Sequence, residues 1–158
     1  MTLVVRKDNV LVVDSACTTE LVQHRVQKWK FLGGEINSVA VMVGNPLVAG
    51  ALLEWYELRD KDKAIPNAAK IADGVAELIV WHGSRSVYRY STSRIPQVCS
   101  ASCAFGVGMD FAYGALHAGA SALDAARAAA YYSPYVAAPF TSFVYEEGVV
   151  FKTYEHDR

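Results

Sequence analysis

Thr2, Asp14 and Lys28 are the residues whose types and spacing can do chemistry together. Thr2 stands directly behind Met1, and an initiator methionine before a small residue is usually removed in cells. Removal frees the α-amine of Thr2 beside its own hydroxyl. A hydroxyl activated by an N-terminal amine is a nucleophile suited to acyl transfer. A buried lysine beside an aspartate would hold a positive field near that threonine. Such a field eases loss of the hydroxyl proton and keeps the α-amine neutral as the base. The plain alternative is an ordinary edge hairpin that begins with threonine, with Asp14 and Lys28 forming a surface ion pair of little energetic worth.

The elements that must position these residues start with the first fifteen. Two β-branched runs flank Asp8-Asn9, a two-residue hairpin signal. Such a turn pairs Lys7 with Val10, and therefore Leu3 with Asp14 and Thr2 with Ser15. The threonine thus begins a strand next to an aspartate on its neighbour. Residues 15–20 read as a loop. Residues 25–32 alternate polar and apolar as a half-buried strand does, with Lys28 in mid-strand. A Gly-Gly turn at 33–35 leads to a more buried strand over 36–43, which ends at Gly44. Asn45-Pro46 is a helix start, with Asn as N-cap and Pro at the first helical position. That helix is predicted to run to about residue 60, with a charged exit at 59–63 and a short second helix over 67–73.

Strands are predicted again at 76–81, 86–90 and 100–105, the last ending in Gly106-Val107-Gly108. A helix rich in small residues follows at 110–117. Ser121-Ala122-Leu123-Asp124, a capping box with Asp in place of Glu, opens an alanine-rich helix to about 132. Strands at 140–145 and 149–154, joined by a turn at 146–148, finish the chain. This order predicts an α+β fold: two antiparallel sheets stacked face to face, with helix layers outside. The length predicts one domain, residues 1–158.

Other groupings carry weaker chemistry. Gly106-Val107-Gly108 before a helix lacks the third glycine of a dinucleotide fingerprint and the Lys-Ser/Thr of a P-loop, so it reads as a structural turn into a close-packed helix. The tyrosines at 131, 132 and 135 read as a helix end packing on the sheet, or as a subunit contact. Cys17, Cys99 and Cys103, an odd number, read as small buried hydrophobes in a reducing compartment, hence a cytoplasmic location. The four histidines are scattered, and no metal-ligand spacing appears. The composition is 53% hydrophobic and 20% charged with a net charge of −1, which gives no reason to expect nucleic acid or an anionic membrane as partner. No apolar run approaches the roughly 18 residues of a membrane span, and no signal-peptide pattern is visible.

Four segments in order carry a family resemblance: Thr2-Leu3-Val4-Val5 with Val12-Val13-Asp14-Ser15 and Thr18-Thr19; the lysine-bearing run 26–32; 105–114 around Gly106-Val107-Gly108; and Ser133-Pro134-Tyr135 followed by Ala138-Pro139. Together the chain resembles proteasome β-subunits and bacterial HslV-type peptidases, the proteasome branch of the N-terminal-nucleophile hydrolases. The resemblance covers nearly the whole chain and implies a four-layer αββα sandwich. It implies a threonine-type peptidase in a self-compartmentalising homo-oligomeric ring, acting on peptides or unfolded protein, with an ATPase unfoldase as a possible partner and no cofactor. Residue by residue, the family's nucleophile falls on Thr2 and its tuning aspartate and lysine on Asp14 and Lys28. The loop position that pairs with the substrate strand falls on Thr18, and the oxyanion-hole N–H on Gly44. The first hairpin is shorter than the family's by about two residues on each strand, which preserves its pairing. Two positions depart from the pattern: Val107 replaces the serine of a Gly-Ser-Gly turn, and Ser133 replaces an aspartate before Pro-Tyr. Both family residues hydrogen-bond around the threonine amine. A catalytically silent assembly or interaction protein on the same fold is therefore the second reading.

Overall fold

The computed structural model describes residues 2–18, 23–33, 38–58, 76–83, 86–91, 97–99 and 101–157. Within these, the strands are β1 (Leu3–Lys7), β2 (Val10–Asp14), β3 (Ala16–Thr18), β4 (Gln23–Arg25), β5 (Trp29–Leu32), β6 (Ser38–Gly44), β7 (Ala76–Trp81), β8 (Val87–Tyr90), β9 (Gln97–Cys99), β10 (Ser102–Gly106), β11 (Phe140–Glu146) and β12 (Val149–His156). The helices are α1 (Pro46–Leu58), α2 (Met109–His117) and α3 (Ala122–Tyr132). The turn predicted at 33–35, apart from Gly33, the charged exit at 59–63, the helix predicted over 67–73 and the state of Met1 lie outside the described residues.

Two five-stranded antiparallel sheets form, in the orders β10-β1-β2-β11-β12 and β5-β6-β7-β8-β9; β3 and β4 make a separate hairpin. The β1–β2 register is the expected one, with Val4 opposite Val13 and Lys7 opposite Val10. The turn between them places Asp8 at φ 54°, a conformation that aspartate tolerates better than most residues. Both strands read as continuous apolar runs because both of their faces are covered. Val4, Leu11 and Val13 point between the sheets and join Val41, Ile79 and Phe143 in the central core. Leu3, Val5 and Val12 point the other way, into the alanines of α3 and Ala112 of α2. On the far side, Leu52 and Leu53 of α1 pack on Ala40, Leu78 and Val80 of the second sheet. The layers are therefore helix, sheet, sheet, helix, as expected.

The helix starts follow their local chemistry. Asn45 Oδ1 accepts from the backbone N–H of Leu47 at 3.0 Å and of Val48 at 3.3 Å, which satisfies two donors that the first turn would otherwise leave open. Ser121 Oγ accepts from Asp124 N at 3.1 Å and caps α3. The alanine side chains of α3 let it lie close on β1 and β2.

Three expectations need correction. The segment 15–20 is not a loop throughout, because Ala16–Thr18 forms β3 against β4. The strand expected over 25–32 is broken: β4 ends at Arg25 and β5 begins at Trp29, so Lys28 lies in the break rather than in mid-strand. The cause is topological, since residues 26–28 carry the chain from the β3–β4 hairpin into the second sheet. The short edge strand β9 was not expected; it exists only by pairing with β8.

The α1 layer can be tested by truncation. Leu52 is fully buried, whereas Leu47 on the same helix is 71% exposed. Leu52→Ala is expected to lower stability by about 2–5 kcal/mol and Leu47→Ala by less than about 0.5 kcal/mol. Urea unfolding of both variants checks the contrast.

Candidate active site

The candidate site forms where the first strand begins, at the seam between the sheets. Asp14 ends β2 and sends its side chain to three donors. Oδ1 accepts from Leu3 N at 2.8 Å and from Lys28 Nζ at 3.0 Å, and Oδ2 accepts from Ala16 N at 3.2 Å. All three partners are donors, an arrangement that suits the ionised carboxylate. The Asp14 side chain is wholly buried and that of Lys28 is 7% exposed. Burial pushes the Asp14 carboxyl above its ordinary range, while the Lys28 ammonium and the Leu3 and Ala16 N–H groups pull it back.

Lys28 reaches Asp14 because its backbone is fixed on both sides. Its carbonyl accepts from Met42 N of β6 at 2.8 Å. The next residue, Trp29, packs edge-on against Phe31 and Phe143, with ring centroids 5.6 and 4.9 Å away. The break in the strand is thus what turns Lys28 inward. Val26, two residues earlier, is 45% exposed, the reverse of what an unbroken alternation predicts.

Thr2 is buried and held from several directions. Its Oγ1 donates to the Met42 carbonyl of the facing sheet at 3.0 Å. Its own carbonyl accepts from Val107 N at 3.0 Å. The next residue along, Leu3, donates its N–H to Asp14. Gly106 makes the Val107 contact possible: a Cβ there would lie 1.9 Å from the Thr2 carbonyl oxygen, and its φ of 85° is one that side chains rarely adopt. The turn read from sequence as structural is therefore structural in a particular way, since it clamps the candidate nucleophile.

The remaining expected positions are distributed around this centre. Gly44 ends β6 at φ 86°, exposed, next to the cap of α1. Thr18 lies in β3 opposite Gln23. Val107 gives Thr2 a backbone N–H, while its side chain packs against the helix-side core. Ser133 is buried at the C-terminal end of α3, where its Oγ accepts from Tyr135 N at 3.4 Å. Met42 was missed by sequence reasoning; nothing local marks a carbonyl in a β-strand as the acceptor for a residue forty positions away. Among the described residues no group of three or more His, Cys, Asp or Glu could hold a metal.

No protein-family model matches this chain, and no curated protein sequence does. Solved structures do. The chain is similar to eukaryotic HslV from Trypanosoma brucei, with a TM-score of 0.66 and 20% identity over 90% of this chain and 97% of that one. It is similar to Anbu from Hyphomicrobium sp. strain MC1, with a TM-score of 0.72 and 11% identity over 99% and 87%. It is also similar to BPH from Thiobacillus denitrificans, solved in complex with epoxomicin, with a TM-score of 0.66 and 18% identity over 96% and 97%. The fold is accordingly the one that these HslV, Anbu and BPH structures share.

Removing Lys28 strands a buried charge. In Lys28→Met, Asp14 holds its proton still more tightly in the folded state than in the unfolded chain. Between the ordinary carboxylate range and that raised value the folded state binds more protons, so stability falls as pH rises. A loss of about 3–5 kcal/mol is expected at neutral pH, partly recovered near pH 5; urea unfolding at the two pH values checks it, and an equal loss at both contradicts it. Gly106→Ala is expected to cost at least about 1–2 kcal/mol from its left-handed backbone alone, and more from the collision with Thr2; thermal melting measures it.

Proposed function

We propose that the chain is a threonine-type peptidase, with Thr2 as N-terminal nucleophile after loss of Met1. The observation that supports this best is the Asp14–Lys28 pair, buried and hydrogen-bonded directly to the backbone that carries Thr2. In this reading Thr2 Oγ attacks the scissile carbonyl and its α-amine takes the hydroxyl proton. The Gly44 N–H holds the oxyanion of the tetrahedral intermediate. The amine then passes the proton to the leaving nitrogen, leaving an ester on Thr2. A water that gives its proton to the same amine attacks that ester; the acid leaves and the amine returns the proton to Thr2 Oγ. Lys28 and Asp14 tune the field around the nucleophile, and the backbone at Thr18 aligns the substrate strand. The substrate is a peptide or unfolded protein, the working form a cytoplasmic homo-oligomeric ring, and an ATPase unfoldase its feeding partner. No cofactor is required by this chemistry.

A second reading, a catalytically silent assembly or interaction protein, is favoured by two side chains. Val107 is apolar and turned to the helix-side core, and the Ser133 hydroxyl accepts from its own chain. Neither serves the proton traffic that the family resemblance assigns to those positions.

Intact mass and cleavage separate the two. The peptidase reading expects a mature mass beginning at Thr2, labelling of Thr2 by an epoxyketone, and cleavage of an unfolded protein substrate. Thr2→Ala is expected to reduce cleavage by a factor on the order of 10⁶, the cost of removing a nucleophile that works as a unit with its base, with assembly intact in size-exclusion chromatography. A chain that keeps Met1 and ignores the epoxyketone is the silent protein.

A further inference from the structure

Beside the candidate site, on the β11–β12 side of Asp14, the molecule has a cleft of about 230 Å³. Its walls include Asp14, Arg25, Val26, Trp29, Pro139 and Glu155, with Ser15 beside Asp14; among the described residues Thr2, Lys28 and Gly44 are not part of them. It therefore shares Asp14 with the candidate site but does not reach Thr2. It falls below the roughly 300–1,000 Å³ of sites for drug-sized molecules, so its occupant is small.

Three features define the chemistry of that occupant. The Ser15 hydroxyl oxygen is enclosed and has no hydrogen-bond partner among the described residues, although buried hydroxyls are nearly always satisfied. Arg25 presents an exposed guanidinium that forms no ion pair among the described residues. Glu155 supplies the opposite charge; among the described residues it makes a half-exposed i,i+3 contact to Lys152 and also lies in the field of Arg25, and surface pairs of this kind exchange partners at little cost. Val26, Trp29 and Pro139 give the cleft apolar walls. A cation with a free hydroxyl, an anion, and apolar walls in one small recess match a zwitterion with an apolar side chain.

We propose that this cleft binds a free apolar amino acid or its dipeptide. The carboxylate lies on Arg25 and, once the enclosed Ser15 side chain turns toward the cleft, on its hydroxyl; the ammonium lies on Glu155, and the side chain on Val26, Trp29 and Pro139. Its identity as a reaction product rests on the peptidase reading, because such molecules are what that reaction releases; the binding itself does not. Occupancy acts on Ser15, the residue next to Asp14, and so couples the cleft to the pair that flanks Thr2.

Isothermal titration of the full chain tests this with L-leucine, leucyl-leucine, leucinamide and N-acetyl-leucine. Leucine and the dipeptide are expected to saturate with a Kd on the order of 1 mM. Leucinamide, which lacks the carboxylate, and N-acetyl-leucine, which lacks the ammonium, are expected to bind at least about tenfold more weakly, as one lost charged contact implies. Arg25→Gln and Glu155→Gln are each expected to weaken leucine by about the same factor, with melting temperatures unchanged because both side chains are on the surface. Thr2→Ala is expected to bind leucine as the parent does. Absence of saturation by leucine and dipeptide, equal affinity in Arg25→Gln, or loss of binding in Thr2→Ala overturns the proposal. A chain that binds leucine and cleaves nothing keeps the cleft and loses the peptidase. A chain that cleaves and does not bind does the reverse.

Discussion

The buried contact between Asp14 and Lys28 organises the structure around Thr2. It ties the end of a strand in one sheet to the residue at which the chain enters the other. Both charges have left water, a transfer that costs several kcal/mol per ion before any attraction is counted. The cost is offset only because the carboxylate is fully engaged, by the ammonium and by two backbone N–H groups. One of those N–H groups belongs to Leu3, so the residue after the candidate nucleophile is pinned by the same carboxylate that receives the lysine. Stability alone does not account for such a pair, since an apolar replacement of similar volume is often as good or better. What it supplies is a fixed position and a fixed field.

Close approach is the second constraint. Thr2 touches both the facing sheet, through Met42, and the β10–α2 turn, through Val107. The second contact exists only because Gly106 has no side chain. The same economy of side chains recurs in the helix layer behind β1 and β2, where alanines bring α3 down onto the strands. On the other side of those strands the fill is bulky: Phe143 meets Trp29 edge to face, and Trp81 lies fully buried. The strand that follows Thr2 is thus backed largely by alanines and fronted by larger side chains.

Local chemistry was legible; long-range contacts, the Asp14–Lys28 pair apart, were not. The hairpin, its register and the approach of Asp14 to Leu3 follow from a two-residue turn and two β-branched runs. Asn45 and Ser121 announce their helices because capping is a matter of three or four neighbouring residues. The alternation at 25–32 misled, because residues 26–28 cross between sheets and obey the crossing rather than a strand period. Lys28 is buried and Val26 exposed for that reason. The three-residue strands β3 and β9 exist through their partners and have no pattern of their own. Gly106 was visible as a glycine turn, but the backbone it admits lies over a hundred residues away.

The two departures from the family pattern divide the work of the site into parts. Val107 still does what position requires, because the contact to the Thr2 carbonyl comes from its backbone; a valine in place of a serine leaves the clamp intact. What it takes away is a hydroxyl for passing protons. Ser133 keeps a polar atom but spends it on capping its own turn. Placement of Thr2 is carried by backbone and by Asp14; in the peptidase reading, transport of its proton is a separate task, one that falls to side chains this chain has changed. In a peptidase on this frame the proton path must run through the threonine's own amine, with the lysine field in place of a hydroxyl relay. In a silent protein the buried ion pair has only a mechanical task, to hold two sheets in register at one corner, and its field acts on nothing.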